Sequence, residues 1–383
     1  MMKKPTSKTL LTYTLGLVLF LLGLTLGMYA NLAQRSNLGS LDTTTMHEVY
    51  SILQQDFDGK LDSVQLMDGA KAGLAAGTGD EFTRYMSPQA TKEFTQRMHG
   101  NGFVGIGVEL GFKDDELVII APQPDSPAAK AGVRAGDVII AIDGKKVYTM
   151  PEEEAVALLR GKAGSRVVLT VQRGSQLHDI SIERRPIVTP SVRASVNDDT
   201  IGIMTISTFD ANTGELARRA AQQFQSRGVR GVVLDMRGNP GGAVDAANDV
   251  LSLWLKQGST TMVEKRGGQV LRTYQTNQRP VLGDVPTVVL LNESSASASE
   301  VVAGALRDFD KAKIVGTQSF GKGSVQEVRL LSNGGALAFT TSRWFTPKGT
   351  TIDGVGLKPD TIVEQRSAHD DAQLRAALGI LSR

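Results

Sequence analysis

The chain has 383 residues, 41% hydrophobic and 21% charged, with a net charge of +2. That length holds two or three domains with their own cores, and that balance excludes a dedicated nucleic-acid binder. There is no cysteine, so disulfides, thiolate metal sites and a Cys nucleophile are excluded, and the four histidines, His47, His99, His178 and His369, are too scattered for a His-built metal site.

Lys3, Lys4 and Lys8 precede a stretch that carries no charge from Thr9 until Arg35. About 20 apolar residues cross a bilayer core as a helix. A signal peptide has an apolar stretch of roughly 7–15 residues and a small-x-small exit site; here the stretch is longer and no such pair lies between Met28 and Arg35. Residues 1–34 therefore read as a cytoplasmic stub and an uncleaved membrane anchor. The lysines place the N-terminus in the cytoplasm and the body on the extracytoplasmic, periplasmic or cell-envelope side. Secretion after signal cleavage is the alternative.

Residues 35–98 form a helical region, with Val49, Ile52, Leu53 and later Leu66, Met67 and Ala70 recurring on one face. It closes in "GDEFTRYMSP", an irregular turn between Gly79 and Pro88.

From 99 to 187 the pattern changes to short strands and Gly-rich turns. "ELVIIAPQ" and "GDVIIAIDG" are strands, and Ser126, Pro127 and Gly132 frame a one-turn helix between them. "PEEEAVALLRG" is a second helix, acidic at its start and basic at its end. "SRVVLTVQRG" and "HDISIERR" close the module. The order resembles a PDZ domain, carried by "SPAAKAGVRAGDVIIAIDGKKV" and by "GIGV", Gly105, Ile106, Gly107 and Val108, which looks like its carboxylate-binding loop. Such domains add an extended peptide to a sheet edge and hold its terminal carboxylate on backbone N–H groups. Taken alone, the four residues are a glycine turn between strands. Val108 stands where many PDZ domains have Phe, which leaves the side-chain preference open.

Residues 188–383 alternate strands and helices: "GVVLDM", then "AVDAANDVLSLWL"; "VPTVVLLN", then "ESSASASEVVAGALRDF"; and "AKIVG". The alternation predicts an α/β core with a mainly parallel sheet. "ALAFTTSRWFTP" and "DTIVEQ" add strands, and Ala372 to Leu381 a closing helix.

Three stretches of this core carry candidate chemistry. In "GTQSFGKGS", Gly316, Gly321 and Lys322 fit a phosphate-binding loop, but Gly323 stands where a hydroxyl would hold Mg²⁺. The following "GSVQEVRLL" is rich in strand formers and lacks the helix such a loop must open. Nucleotide binding thus fails two requirements. In "SSASASE", Ser297 and Glu300 match a capping box at a strand-to-helix junction. The same junction sets a serine hydroxyl beside free backbone N–H groups, which suits a nucleophile and its oxyanion. Such a serine needs a base, and a buried lysine serves once desolvation has made it neutral. Lys322 lies in an uncharged stretch from Gly316 to Gln326. On a strand, Lys322, Ser324 and Gln326 share one face, so Gln326 is placed to orient the amine. In "DMRGNPGG", Gly241 and Gly242 sit between a strand and a helix, with N–H groups available to a cleft.

Together with "GDEFTRYMSP", "GKGSVQ" and "TPKGTTIDGVGLKPD", these stretches resemble, in order, the carboxyl-terminal processing peptidases, or tail-specific proteases. The resemblance implies a serine endopeptidase with Ser297 as nucleophile, Lys322 as general base and Gln326 orienting it. It implies an oxyanion hole from the N–H of Ala298 with that of Gly241 or Gly242, and no cofactor. It also implies protein or peptide substrates with accessible C-termini, self-association, and an activating adaptor as a further candidate partner. Two departures, "GDEF" at 79–82 where Asp-Pro-Tyr is common and Met86 for Leu, are expected to lie away from the chemistry. The rival reading is a PDZ-containing peptide-binding scaffold without turnover. The expected whole is an α/β catalytic core, an inserted PDZ-like α+β domain, an N-terminal helical segment and a membrane anchor helix.

Overall fold

The computed structural model describes residues 43–382 except 101, 114–115, 124, 149, 151, 188 and 366–369. The expected anchor, residues 1–34, lies outside the described residues. Among those described, no helix is long and apolar enough to cross a membrane. The chain divides into two compact units, 1–67 and 68–383. Helix α1 spans Thr43–Asp56, and α2 spans Ser63–Ala76. The side chain of Asp62 accepts from the N–H groups of Val64 and Gln65, satisfying donors that the first turn of α2 leaves free.

The stretch expected as an irregular turn contains a strand. β1, Arg84–Met86, lies along the edge of a sheet described below, and α3, Pro88–Met98, follows at once. Ser87 caps α3 through Ala90 N–H, with Pro88 at its first position.

The PDZ-like module then begins. A ribbon of β2, Phe103–Gly105, and β9, Arg185–Ile187, brings its two ends together. Between them run β3 (Val108–Lys113), β4 (Glu116–Pro122), β5 (Val138–Ile142), β6 (Lys145–Lys146), β7 (Arg166–Arg173) and β8 (Gln176–Glu183). They form one antiparallel sheet in the order β3-β4-β5-β7-β8, with β6 on β5. The short α4, Pro127–Lys130, and α5, Glu152–Leu159, pack on it. Ile119, Ile142, Val167, Leu169 and Ile182 fill the core. Asp137, buried in the turn before β5, is held by Arg173 at 2.7 Å and by Arg134 N–H at 2.8 Å. A buried carboxylate is tolerable only with such partners.

The remaining residues build two sheets. The first contains β10 (Val192–Val196), β11 (Ile201–Ile206), β12 (Gly231–Asp235), β15 (Thr287–Leu291), β16 (Ala312–Gly316) and β19 (Thr361–Ile362), in that order. Only the β10–β11 pairing in it is antiparallel. Helices α6 (Thr213–Ser226), α7 (Val244–Leu251) and α8 (Ala298–Asp308) bury Phe224, Val250 and Val302 in the main core. The last helix, α9, Ala372–Leu381, covers Val233, Val288 and Val315, which alternate with main-core residues along their strands. Strands buried on both faces read as unbroken apolar runs, as "GVVLD" and "TVVLL" do.

The second sheet is antiparallel: β1, β13 (Thr260–Arg266), β14 (Gln269–Gln275), β17 (Ser324–Leu330) and β18 (Ala336–Phe345). The expected mainly parallel sheet therefore describes one of two. The reason is local. β13 and β14 are joined through Gly267 and Gly268, and β17 and β18 through Asn333 and Gly334, and such tight connections close only antiparallel pairs.

Arg237 ties the last helix to the first sheet. Its guanidinium donates to both carboxylate oxygens of Asp235 and to both of Asp371, and reaches Gln373 Oε1 at 3.1 Å. Asp371 also caps α9 through Leu374 N–H. The Arg237 hydrogen bond holds the Asp371 carboxyl below the usual carboxylate range. Because the folded-state value is depressed, this contribution is present above the unfolded value and is lost as pH falls through the folded one. Arg237→Ala is expected to cost about 3 kcal/mol in urea unfolding at neutral pH, by leaving Asp235 unpaired. It should also flatten the acid limb of the stability profile, which unfolding midpoints measured from neutral pH downward will check.

Candidate active site

The candidate nucleophile sits where β15 gives way to α8. Ser295, fully buried, donates from Oγ to Met236 O at 2.9 Å and accepts from Asn292 N–H at 3.0 Å, which fixes the turn. Ser297 then takes φ +54 and ψ −114. A non-glycine residue rarely enters that region, at a cost of about 1–3 kcal/mol. The sharp turn puts Ser297 just ahead of α8, whose first residue, Ala298, has an N–H with no acceptor inside the helix. Ala296 and Ala298 are buried and small, leaving the approach to Ser297 open.

The "RGNPGG" loop is stitched to this turn by Asn239. Its buried side chain donates to Ile206 O at 2.8 Å and accepts from Gly241 N–H at 2.9 Å. Its carbonyl accepts from Ala296 N–H and from Ser299 Oγ, each at 3.0 Å. The approach demands glycine at 241: a methyl group there would lie 2.8 Å from Ser297 Cβ and 3.0 Å from Ala298 N. Gly241 spends its N–H on Asn239, whereas that of Gly242 has no acceptor among the described residues.

The loop bearing Lys322 leads into strand β17, and no helix follows it. Gly321 and Gly323 are packing requirements of this loop. Methyl groups at these positions would come within 2.7 Å of Gly356 N and 2.5 Å of Asp353 Cβ. Residues 353–356, from the "TIDGVGLKPD" stretch, thus brace the loop, and Gly354 N–H donates to Gly321 O. From β18, the indole of Trp344 donates to Lys322 O at 2.9 Å. The Lys322 amine makes no hydrogen bond or ion pair among the described residues. Burial pushes its proton affinity down, Arg84 adds to that, and Asp80, Glu300 and Glu81 oppose it.

Glu300 joins the candidate nucleophile to the candidate base. It is fully buried in α8, and its Oε2 accepts from Ser297 N–H at 2.8 Å and Lys322 N–H at 2.9 Å. Its Oε1 accepts from Ser319 Oγ at 2.6 Å and Gly321 N–H at 2.7 Å. Burial raises the proton affinity of this carboxyl and the hydrogen bonds resist the rise. With two donors aimed at each oxygen there is no room for a proton, so the carboxylate is the form that fits.

Ser297, Lys322, Gln326 and Gly242 line one cleft of about 350 Å³, walled by Met262, Val301, Val325 and Trp344. Two expectations need correction here. Segment 79–82, expected away from the chemistry, reaches into it: Glu81 and Phe82 line the cleft, as does Arg84, and the Phe82 ring lies 4.8 Å from Lys322 Nζ. Pairing of β1 with β18 carries the segment there. The second concerns Gln326. Its amide nitrogen donates to Ser324 Oγ at 2.7 Å and Thr340 Oγ1 at 3.3 Å, not to Lys322. The expected shared face holds, since Lys322, Ser324 and Gln326 all line the cleft, but the amide is engaged by its neighbours on the sheet.

In the PDZ-like module, Gly105, Ile106, Gly107 and Val108 border a groove of about 210 Å³ with Leu110, Val156, Leu159 and Arg160. The Ile106 side chain is buried in the core. The carbonyls of Ile106 and Gly107 accept from Ala128 and Gln123 N–H. Their own N–H groups have no acceptor among the described residues, as a carboxylate site requires.

Comparison with known proteins agrees with this geometry. Residues 200–363 match peptidase family S41, and 118–173 match a PDZ domain. A CtpA-like serine protease of Staphylococcus epidermidis is 35% identical over 334 residues, covering 87% of this chain and 67% of the relative. The chain belongs to peptidase family S41. A second CtpA-like serine protease, from Staphylococcus haemolyticus, is 39% identical over 313 residues, covering 82% of this chain and 63% of that one. The chain spans about two thirds of the length of these relatives. Among solved structures, the photosystem II D1 C-terminal processing protease superposes with a TM-score of 0.53 at 29% identity, covering 87% of this chain and 90% of its own. The chain is thus an S41 serine-type peptidase carrying a PDZ domain.

Glu300, Asn239 and Phe82 enter the site without having been singled out for it. Glu300 was visible only as a helix cap, Asn239 only inside a glycine turn. Replacing Glu300 by Gln keeps the size but points an amide NH₂ at two donors. Glu300→Gln is expected to lower kcat about 100-fold through misplaced reacting groups and to reduce unfolding free energy by about 2 kcal/mol. Steady-state kinetics and urea titration of the same sample check both.

Proposed function

We propose that this S41 chain is a serine endopeptidase working through a Ser297–Lys322 dyad. Carrying the reading is the convergence of Ser297 and a half-buried, unpaired Lys322 on one cleft, their backbones held by one carboxylate. Lys322 enters the reaction as the neutral amine. It takes the proton from Ser297 Oγ as that oxygen attacks the scissile carbonyl, then gives it to the leaving amine. The N–H groups of Ala298 and Gly242 receive the oxyanion; Gly242 is chosen because Gly241 is already bonded to Asn239. Water then repeats the sequence on the acyl-enzyme. Gln326 shapes the wall beside the amine through Ser324 and Thr340.

The substrate is an unstructured protein or peptide whose C-terminus is captured on the N–H groups at Ile106 and Gly107 while the chain is cut at Ser297. The charge-free stretch between Lys8 and Arg35 supports a membrane anchor with the peptidase on the extracytoplasmic side. Exposed Met46, Val49 and Ile52 on α1 give self-association an apolar face to use.

Digestion of an unfolded protein tests the reading. Ser297→Ala and Lys322→Ala should each abolish cleavage, and full turnover by Lys322→Ala would eliminate the proposed base. Amidating a peptide's C-terminus should raise KM and leave kcat nearly unchanged. The proton affinity of Lys322 is depressed, and only its neutral form accepts the serine proton. Activity should therefore rise with pH through an acid limb below the ordinary lysine value, read from kcat/KM.

A further inference from the structure

Lys322 has an unusual neighbour for a group that must become an ammonium during the reaction. Among the described residues no carboxylate pairs with its amine; the aromatic face of Phe82 stands 4.8 Å away. That ring is held by a built platform. Asp80 Oδ2 accepts from Thr83 Oγ1 and Thr340 Oγ1, each at 2.6 Å, and Thr340 N–H donates back to Thr83 Oγ1 at 3.3 Å. Immediately afterwards, Arg84 pairs with Ala338 on β18. Phe82 is thus fixed to the sheet that also carries Trp344, the residue holding the Lys322 carbonyl.

We infer that Phe82 is a positioning residue for Lys322, whose ring fixes the amine and stabilises the ammonium that forms as Ser297 loses its proton. This rests on the dyad reading above. An aromatic face attracts a cation far more than it attracts a neutral amine, so its effect grows toward the transition state. A carboxylate in the same place would hold the lysine protonated beforehand and remove the base. The ring also keeps water off one side of the amine. The charged groups around it work in both directions: Arg84 disfavours the ammonium, while Asp80 and Glu81 of the same segment and Glu300 of α8 favour it.

Two substitutions separate the ring's two effects. Phe82→Leu keeps the apolar cover and removes the π face. It should lower kcat roughly 5- to 30-fold and move the acid limb of kcat/KM to lower pH. Phe82→Ala admits water and should move that limb toward the ordinary lysine value, in the opposite direction. Phe82→Tyr should restore kcat and the limb to near wild type. Limbs that shift the same way in Leu and Ala, or not at all, overturn the inference. The pH dependence of Lys322 labelling by acetic anhydride, read by mass spectrometry in a Ser297→Ala background, gives the amine's titration without turnover. Unchanged labelling on adding Phe82→Leu overturns the role of the ring. Failure of the dyad itself would appear separately, as turnover surviving Lys322→Ala.

Discussion

One buried carboxylate fixes the geometry of the cleft. The Ser297 turn and the Lys322 loop come from different parts of the chain, and neither has regular structure to hold it. Glu300 takes one donor from the first and three from the second. Burying an ion is costly unless every lone pair is used. Here each donor must stay in register for the carboxylate to be tolerated, so the cost of burial works as a restraint on both loops. The strain in Ser297 is sustained in the same way. Its N–H is bonded to Glu300, its neighbours Ala296 and Ser299 to Asn239 O, and relaxing the turn would break all three.

The same arrangement suits the neutral resting amine that the proposed dyad requires of Lys322. The buried negative charge of Glu300 is consumed by N–H and O–H donors, one of them the backbone N–H of Lys322 itself. The side-chain amine is left against an aromatic ring and apolar walls, where desolvation dominates. Glu300 thereby places the proposed base without forming an ion pair with it. Backbone capture and side-chain isolation are two sides of one design, and either alone would leave the amine misplaced or protonated.

What the sequence makes legible follows from how local the cause is. Ser297 at a strand-to-helix junction, the strand after Lys322 and the cap at Ser126 all depend on neighbours a few residues away, and pattern reaches them. The absence of a helix after Gly323 was enough to exclude a phosphate loop, although the glycines fit one. Their actual reason, contact with residues 353–356, is a tertiary fact. The antiparallel sheet was hidden because "EKRGGQVL" was not read as a hairpin. The alternation that put Lys322, Ser324 and Gln326 on one face was legible, since all three line the cleft, but the partners of the Gln326 amide, Ser324 and Thr340, are a tertiary fact.

Phe82 shows where a domain reading of sequence stops being a reading of function. Its segment precedes the PDZ-like module and looks like a connector, yet β1 completes the sheet that supports Lys322. Helix α3 continues the same logic. Phe94 and Met98 line the Ser297–Lys322 cleft, and Glu93 lies 3.9 Å from Arg160 at the edge of the groove beside Gly105–Val108. Met98 O, at the helix end, is bonded to Ala211 N–H of the core. A contiguous stretch of sequence from Asp80 to Met98 is therefore wall to one site and neighbour to the other. On the proposed dyad, the working unit is the S41 core together with this stretch, because Phe82 covers one side of Lys322.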